Sequence, residues 1–253
     1  MIKKFCFLSE ANYPNYTKRL KDYNLKRYLE MNLEIPFYIS TNRPEDFEEF
    51  INHPTIKVFD INELRKNNEL SNYYEILPSS PFGIYPAKYP WNLRRFIIKK
   101  AIDDGFLGLF FLECDTKISD LVTKEDLYKY MNLIYEPNTV KTSSARFVYA
   151  NRHPSQELFY NHKDYISDLK LSFDESEYDT LDGTNQIFLG KDTESLNNFI
   201  KNWDFITNYG YDKNYGYKTG YLSNLSFVIP MSNFKLKHID TPFVTEHKFE
   251  DRY

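Results

Sequence analysis

The sequence predicts an α/β fold in which helices flank a mixed, mostly parallel sheet. Short apolar runs with the length of buried strands alternate with segments whose apolar residues recur at helical spacing, which is the pattern of successive βαβ units. The chain has 253 residues, of which 42% are hydrophobic and 18% aromatic, enough apolar surface for a packed core. Because no internal repeat or low-complexity linker interrupts it, we expect one domain over residues 1–253.

The first half of the chain supplies four predicted strands, each a short apolar run bounded by polar or turn-forming residues. They cover 5–8, 36–40, 56–60 and 106–112. Helical spacing predicts helices between them, at 18–32, 44–51 and 91–103. Residues 62–89 lack a clear period and contain Pro and Ser, which indicates a loop over the sheet edge.

The second half continues the alternation. Thr123 and Asp126 have the spacing of a capping box, and they open a helix with apolar residues at Leu127, Tyr130 and Met131. Later strands are predicted at 140–149, 186–189 and 234–239, and later helices at 196–203 and 221–229.

Composition argues against several classes of function. Lys and Arg number 32 and Asp and Glu 36, so the net charge is −4 and the basic excess of a non-specific nucleic-acid binder is missing. The 8 glycines form neither GxGxxG nor GxxxxGK(S/T), which argues against classical dinucleotide and P-loop sites.

The cysteines and the N-terminus bear on location. Cys6 and Cys114 lie inside apolar runs, which indicates two reduced core thiols. The apolar stretch near the N-terminus is too short for a secretory signal, and no run is long enough to span a membrane. We therefore expect a cytoplasmic protein. Its Asn-, Lys-, Tyr-, Phe- and Ile-rich composition is typical of AT-rich genomes and favours a phage or bacterial source.

Polar side chains follow the first two predicted strands, where ligands of open α/β sheets bind. Ser9, Glu10 and Tyr13 follow the first strand. Thr41 follows the second, between Ser40 and Asn42. These residues are the first candidates for ligand contacts.

Two acids follow the most apolar strand. Glu113 and Asp115 are spaced i, i+2, so on a strand their carboxylates point to one face, and Cys114 points into the core. Such a pair can share a hard cation, Mg²⁺ or Mn²⁺.

The segment 107–115, Leu-Gly-Leu-Phe-Phe-Leu-Glu-Cys-Asp, follows a basic helix containing Arg94 and Arg95. It resembles the central segment of nucleotide-sugar glycosyltransferases of the GT-A fold, in which a DxD motif binds a divalent metal and the diphosphate of the donor. Glu113 stands where that motif more often has Asp. The resemblance implies a GT-A-like, Rossmann-like domain whose nucleotide-sugar-binding half is 1–120 and whose acceptor-binding half is 121–253.

The resemblance also implies roles for individual residues on the donor side. The strands that end near Ser9 and Thr41 are similar to the nucleoside-binding elements of that fold. The last acid of the motif, Asp115, is the expected metal ligand, and His238 is similar to a C-terminal histidine that completes the metal site. His247 is a weaker candidate for the same place. The expected donor is a nucleotide sugar, most simply a UDP-sugar. The residues expected to contact it are Ser9, Glu10, Tyr13, Thr41, Arg94, Arg95 and Glu113.

On the acceptor side, Leu181-Asp182-Gly183-Thr184-Asn185-Gln186 leads into a strand where enzymes of this fold place residues near the sugar. Asp182 is the candidate base or sugar-hydroxyl ligand, and Asn185 or Gln186 would flank the anomeric centre. The expected acceptor is a saccharide or a hydroxylated base in phage DNA. Lysines and arginines near 88–100 and 213–237, the second group interleaved with tyrosines, favour the nucleic acid, and the net charge of −4 opposes it.

Each pattern also has a plainer explanation. The acid pair could be a solvated turn, Asp182-Gly183 a tight turn, and His238 a polar residue at a strand end. Arg94 and Arg95 could be a solvated helix face. The rival functions are a nucleotidyltransferase, which normally has a Gly-rich loop after the first strand, and a sugar- or nucleotide-binding protein without turnover.

Overall fold

The computed structural model describes residues 4–12, 14–67, 69–70, 93–114, 116–143, 185–212, 228–239 and 244–246. Within this part of the chain, seven strands form one sheet in the order β3-β2-β1-β4-β7-β6-β8, and two short strands, β5 and β9, pair with each other. The sheet strands are β1 (Phe5–Glu10), β2 (Phe37–Thr41), β3 (Ile56–Asp60), β4 (Gly108–Leu112), β6 (Thr139–Ser143), β7 (Asn185–Leu189) and β8 (Lys235–Ile239). The short pair is β5 (Thr116–Ile118) and β9 (Val244–Glu246).

Six of the seven strands run in the same direction. β3, β2, β1 and β4 are mutually parallel, β7 is antiparallel to both of its neighbours, and β8 is parallel to β6. This confirms the predicted mixed, mostly parallel sheet. The carboxyl ends of the six strands therefore share one edge with the amino end of β7.

Helices cover both faces of the sheet, because the strands alternate apolar side chains between them. The helices are α1 (residues 14–30), α2 (Ile61–Lys66), α3 (Arg94–Asp103), α4 (Lys124–Leu133) and α5 (Thr193–Asp212), with a 3-10 helix at Pro44–Phe50. Cys6 and Phe111 lie in the core cluster that contains residues of α3 and α5. Phe7 and Phe110 lie in a second cluster with residues of α1 and α4. Both cysteines are buried free thiols, as predicted.

Helix α1 contains a wider turn. Two α-helical stretches, Pro14–Arg19 and Lys26–Glu30, enclose the π-helical stretch Leu20–Leu25. The amide of Lys26 donates to the carbonyl of Lys21, five residues earlier. Such insertions are rare and are often found at functional sites.

Most of the predicted elements are present with shifted ends, and α2, β5 and β9 were not predicted. The strand predicted at 140–149 is described only to residue 143, and the rest of it lies outside the described residues. Thr123 and Asp126 form the predicted capping box, in which the side chain of each residue accepts a hydrogen bond from the backbone amide of the other. The loop predicted at 62–89 begins instead with α2, which starts because the Asp60 carboxylate accepts from the amide of Asn62 at 2.7 Å. Residues 71–89 of that predicted loop lie outside the described residues. β5 and β9 have three residues each, too few to show a period. Residues 228–231 are helical, and the rest of the predicted helix at 221–229 lies outside the described residues.

Candidate functional site

The strand register brings residues from distant parts of the sequence to one edge of the sheet. Glu10 pairs with Ser40 across β1 and β2, and Gln186 pairs with Phe111 across β7 and β4. On the far side, Thr142 pairs with both Gln186 and His238. The backbones of Glu10, Gln186 and His238, from both halves of the chain, therefore share this edge, although β8 lies three strand spacings from β4, roughly 14 Å.

Arg94 is the charged centre of this edge. It is the first residue of α3, its guanidinium is 1% exposed, and it lies between two carboxylates. Its Nε is 3.1 Å from Glu10 Oε1, and its Nη2 is 2.5 Å from Glu113 Oε1. The guanidinium also stacks on the Phe111 ring at 4.3 Å. A solvated helix face is therefore wrong for Arg94, which holds the ends of β1 and β4 together.

One carboxylate oxygen of Glu10 has no hydrogen-bond partner among the described residues. Burial raises the pKa of its carboxyl, and the neighbouring Arg94 opposes that rise. While Oε1 faces Arg94, the buried Oε2 has no hydrogen-bond partner in the described part of the chain. The Ser40 hydroxyl, directly opposite Glu10 on β2, is also buried and without a partner there.

Two asparagines extend this set. Asn12 and Asn42 lie two residues beyond Glu10 and Ser40 respectively, and the Oδ1 atom of each is buried and has no hydrogen-bond partner among the described residues. Buried oxygens in proteins are normally hydrogen-bonded, and these four lie at the ends of two adjacent strands and in the loops that follow, where ligands of open α/β sheets bind. We call Glu10, Asn12, Ser40 and Asn42 the acceptor-oxygen set.

Ser9 and Thr41 are fully buried, and their hydroxyls hold the two loops in place. Ser9 Oγ donates to the Leu112 carbonyl at 2.8 Å, which joins β1 to the end of β4. Thr41 Oγ1 donates to the Ala11 carbonyl at 2.6 Å and accepts from the amide of Arg43 at 3.0 Å. Both hydroxyls therefore have partners within the protein beside the acceptor-oxygen set.

The loop that carries the acids is a tight turn after β4. The strand ends at Leu112, before Glu113, so the prediction that the acid pair lies on one face of a strand is wrong. The Glu113 carbonyl accepts from the Thr116 amide at 3.2 Å, which closes the turn, and Cys114 is buried as predicted. Asp115 itself lies outside the described residues.

The β5–β9 pair bears on the choice of histidine. Thr116 follows Asp115 in the chain, Glu246 precedes His247, and Thr116 and Glu246 are register partners. His238, by contrast, belongs to β8 at the far side of the sheet, and its side chain lies outside what the structure describes. Where residues are described, no group of three or more His, Cys, Asp or Glu side chains has the arrangement of a metal site.

The second arginine of the basic helix points elsewhere. Arg95 is fully buried and pairs with Asp204 of α5 through Nε at 3.1 Å, so it joins two helices. Lys99 and Lys100 pair with Asp103 and Asp104 one turn later. The basic face suggested for nucleic acid is therefore neutralised at each of its described positions in α3.

The acceptor-side candidates are described only in part. Gln186 is fully buried on the sheet face that also carries Phe111. Asn185 begins β7 at the candidate edge, but its side chain is outside the described set, and Asp182 and Tyr13 are outside it altogether. Asn12 was overlooked as a site residue, although the strand-end rule reaches it.

No known family model matches the chain, and no curated protein sequence matches it. Among solved structures, mouse xyloside xylosyltransferase 1 in its apo form aligns with a TM-score of 0.49 and 10% identity, over 93% of this chain and 85% of that one. An active-site mutant of LgtC aligns with a TM-score of 0.48 and 13% identity, over 92% and 72% of the two chains. The galactosyltransferase LgtC in complex with donor and acceptor sugar analogs aligns with a TM-score of 0.44 and 10% identity, over the same shares. These similar structures are of glycosyltransferases, and they assign no site residue of this chain.

None of the described helices combines the length and the apolar character that crossing a bilayer needs.

Proposed function

We propose that this protein transfers a sugar from a nucleotide-sugar donor to a hydroxyl acceptor with the help of a divalent cation. The observation that carries the proposal is the acceptor-oxygen set beside Arg94, at the edge where ligands of open α/β sheets bind. A nucleoside presents N–H and O–H donors, which are the groups these oxygens need. Burial of the set makes an unfilled site unfavourable, since each unpaired polar atom loses its hydration.

The nucleoside end of the donor is assigned to the loops after β1 and β2. Glu10 Oε2 and Ser40 Oγ would accept from ribose or base donors, as would Asn12 and Asn42 in the loops that follow the two strands. Ser9 and Thr41 fix the loops rather than offer free hydroxyls, and Tyr13 is kept as a contact predicted from sequence. Residues 1–120 would thus hold the donor and 121–253 the acceptor.

The diphosphate and cation are assigned to the turn after β4. Asp115 is the proposed metal ligand, and the register of β5 with β9 supports His247 over His238 as its companion. A carboxylate and an imidazole suit Mn²⁺ better than Mg²⁺, which prefers oxygen ligands. The bound cation would stabilise the negative charge that develops on the leaving diphosphate. Glu113 has its carboxylate on Arg94, so we assign it to holding the turn.

The two arginines receive different roles. Arg94 lies at the donor edge between Glu10 and Glu113, and its proposed role toward the donor is to hold these two carboxylates in place. Arg95 faces Asp204 between two helices, and we assign it to joining them.

On the acceptor side, Asp182 is the proposed base or sugar-hydroxyl ligand, with Asn185 and Gln186 near the reacting carbon. We favour a saccharide acceptor over DNA. The cations of α3 that suggested a nucleic-acid face are each paired with a carboxylate, and Lys237 of the second group pairs with Glu136 at 2.7 Å. A duplex would meet few uncompensated cations on α3.

A donor-turnover assay tests the proposal. The protein is incubated with Mn²⁺ and a panel of UDP-, GDP-, ADP- and CDP-sugars, and release of the nucleoside diphosphate is measured. We expect release from at least one donor, and Asp115→Asn should lower the rate by about 10²-fold or more. Asp120→Asn, a nearby exposed aspartate paired with Lys117, is the matched control and should keep the wild-type rate.

The outcomes separate the rival functions. Binding of a nucleotide sugar without release of diphosphate would favour a non-catalytic binding protein. Release of pyrophosphate from a nucleoside triphosphate and a sugar phosphate would favour a nucleotidyltransferase. Equal rates in Asp115→Asn and the wild type would remove the metal role of Asp115.

A further inference from the structure

The π-helical stretch of α1 contacts the turn that carries Asp115. Asn24, within Leu20–Leu25, is fully buried, and its Nδ2 donates to the Glu113 carbonyl at 3.0 Å. Three residues later Arg27 Nη2 donates to the carbonyls of Asp120 and Val122, at 3.3 and 3.1 Å. One helix therefore holds the chain at both ends of the segment 113–122.

We propose that Asn24 is a positioning residue that fixes the Glu113–Thr116 turn and thereby sets the place of Asp115. The inference rests on the proposed function, since it concerns the residue assigned to the cation. It adds a determinant from α1, a helix that contains none of the site residues predicted from the sequence.

The Glu113 carbonyl is the fixed point of the turn. It accepts from the Thr116 amide at 3.2 Å, from Thr116 Oγ1 at 2.8 Å, and from Asn24 Nδ2. The first two bonds are internal to the turn and define its shape. The bond from Asn24 ties that carbonyl to α1, an element outside the turn. Loss of that bond should leave the turn intact but less firmly placed.

The wider helical turn explains why Asn24 reaches this carbonyl. A π-helical insertion adds a residue to the turn and rotates the residues that follow it relative to a regular α-helix. Leu20 and Leu25, on either side, remain buried in the core cluster shared with α4. Asn24 is thus a buried polar residue between two core leucines, and its amide nitrogen bonds the carbonyl of Glu113.

Asn24→Leu tests the proposal, because leucine has nearly the same size and lacks the donor. Thr17→Val is the matched control, since Thr17 is a buried polar residue of the same helix outside the contacts with 113–122. Two properties are measured on the folded proteins: amide hydrogen exchange of peptides covering 113–122, and Mn²⁺ affinity by electron paramagnetic resonance titration. Asn24→Ser, which is too short to reach the carbonyl, serves if Asn24→Leu does not fold.

We expect faster exchange at 113–122 and a Mn²⁺ affinity lower by about tenfold in the Asn24 variant, as for other residues that orient metal ligands. Thr17→Val should change neither property. Wild-type exchange at 113–122 in both Asn24 variants would overturn the positioning role, whatever the protein binds. Faster exchange with unchanged Mn²⁺ affinity would overturn the link to Asp115. Absence of Mn²⁺ binding by the wild type would instead overturn the proposed function, and the exchange result would still decide whether Asn24 places the turn.

Discussion

Replacing Arg94 by Met removes the positive charge between Glu10 and Glu113 while keeping much of the side chain's volume. The guanidinium is 1% exposed, and the two carboxylates are 12% and 18% exposed, so all three groups are largely withdrawn from water. Without Arg94, two buried negative charges would face each other without compensation. Breaking a buried pair by removing one partner typically costs about 3–5 kcal/mol.

For a chain of this size, that loss corresponds to a decrease in Tm of roughly 6–20 °C. Urea unfolding followed by circular dichroism measures the loss. The control is Lys66→Met, which removes an exposed ion pair with Glu63 and should leave the midpoint nearly unchanged.

The double variant Arg94→Met/Glu113→Gln removes one of the uncompensated charges. It should recover part of the lost stability, because the remaining carboxylate no longer meets a second one. A loss below about 1 kcal/mol for Arg94→Met, or no recovery in the double variant, would refute the account of the charged centre.

Three further predictions concern Glu10, Gly108 and Arg95. Since burial raises the pKa of Glu10, donor affinity should fall as the pH drops through a value above that of an ordinary glutamate, because protonation removes an accepting oxygen. Calorimetric titration at several pH values should show that the donor affinity of Glu10→Gln does not fall in this pH range. A loss of wild-type affinity only at or below the ordinary pKa of glutamate would contradict the assignment of Glu10. Because the pKa of Glu10 is higher in the folded protein than in the unfolded chain, ionising Glu10 opposes folding. The contribution of Glu10 to the free energy of unfolding therefore declines as the pH rises through the raised pKa. Gly108→Ala should destabilise the protein by about 1–3 kcal/mol, because the Phe5 ring occupies the space that a Cβ would need, and an unchanged urea midpoint would refute this packing. Arg95→Met should lower Tm by leaving Asp204 uncompensated while nucleotide affinity stays at the wild-type value, and weaker binding in the folded variant would return Arg95 to the diphosphate.

Much of the fold was predictable because the spacing of apolar residues and the polar residues that follow each strand are local properties of the sequence. The runs at 5–8 and 106–112 became β1 and β4, and the capping box at Thr123 formed as expected. The sequence also indicated that residues after β1, β2 and β4 meet, since parallel strands end at a common edge.

Other features depend on partners that are distant in the sequence. Whether Arg94 is solvated or buried depends on Glu10 and Glu113, which approach it only after the sheet forms. The π-helical turn at Asn24 has no sequence pattern of its own, and the pairing of β5 with β9 joins segments more than 120 residues apart. These features determine which of the expected site residues face a ligand and which hold the protein together.

The central claim, that the acceptor-oxygen set binds the nucleoside of a sugar donor, is tested most directly by calorimetric titration of UDP, GDP, ADP and CDP in the presence of Mn²⁺. The account predicts saturable one-to-one binding of at least one of them, a clear loss of affinity in Asn12→Ala, and wild-type affinity in Asn67→Ala, an exposed asparagine at the end of α2. Binding that is equally strong in Asn12→Ala and the wild type, or no binding of any of the four nucleotides, would contradict it.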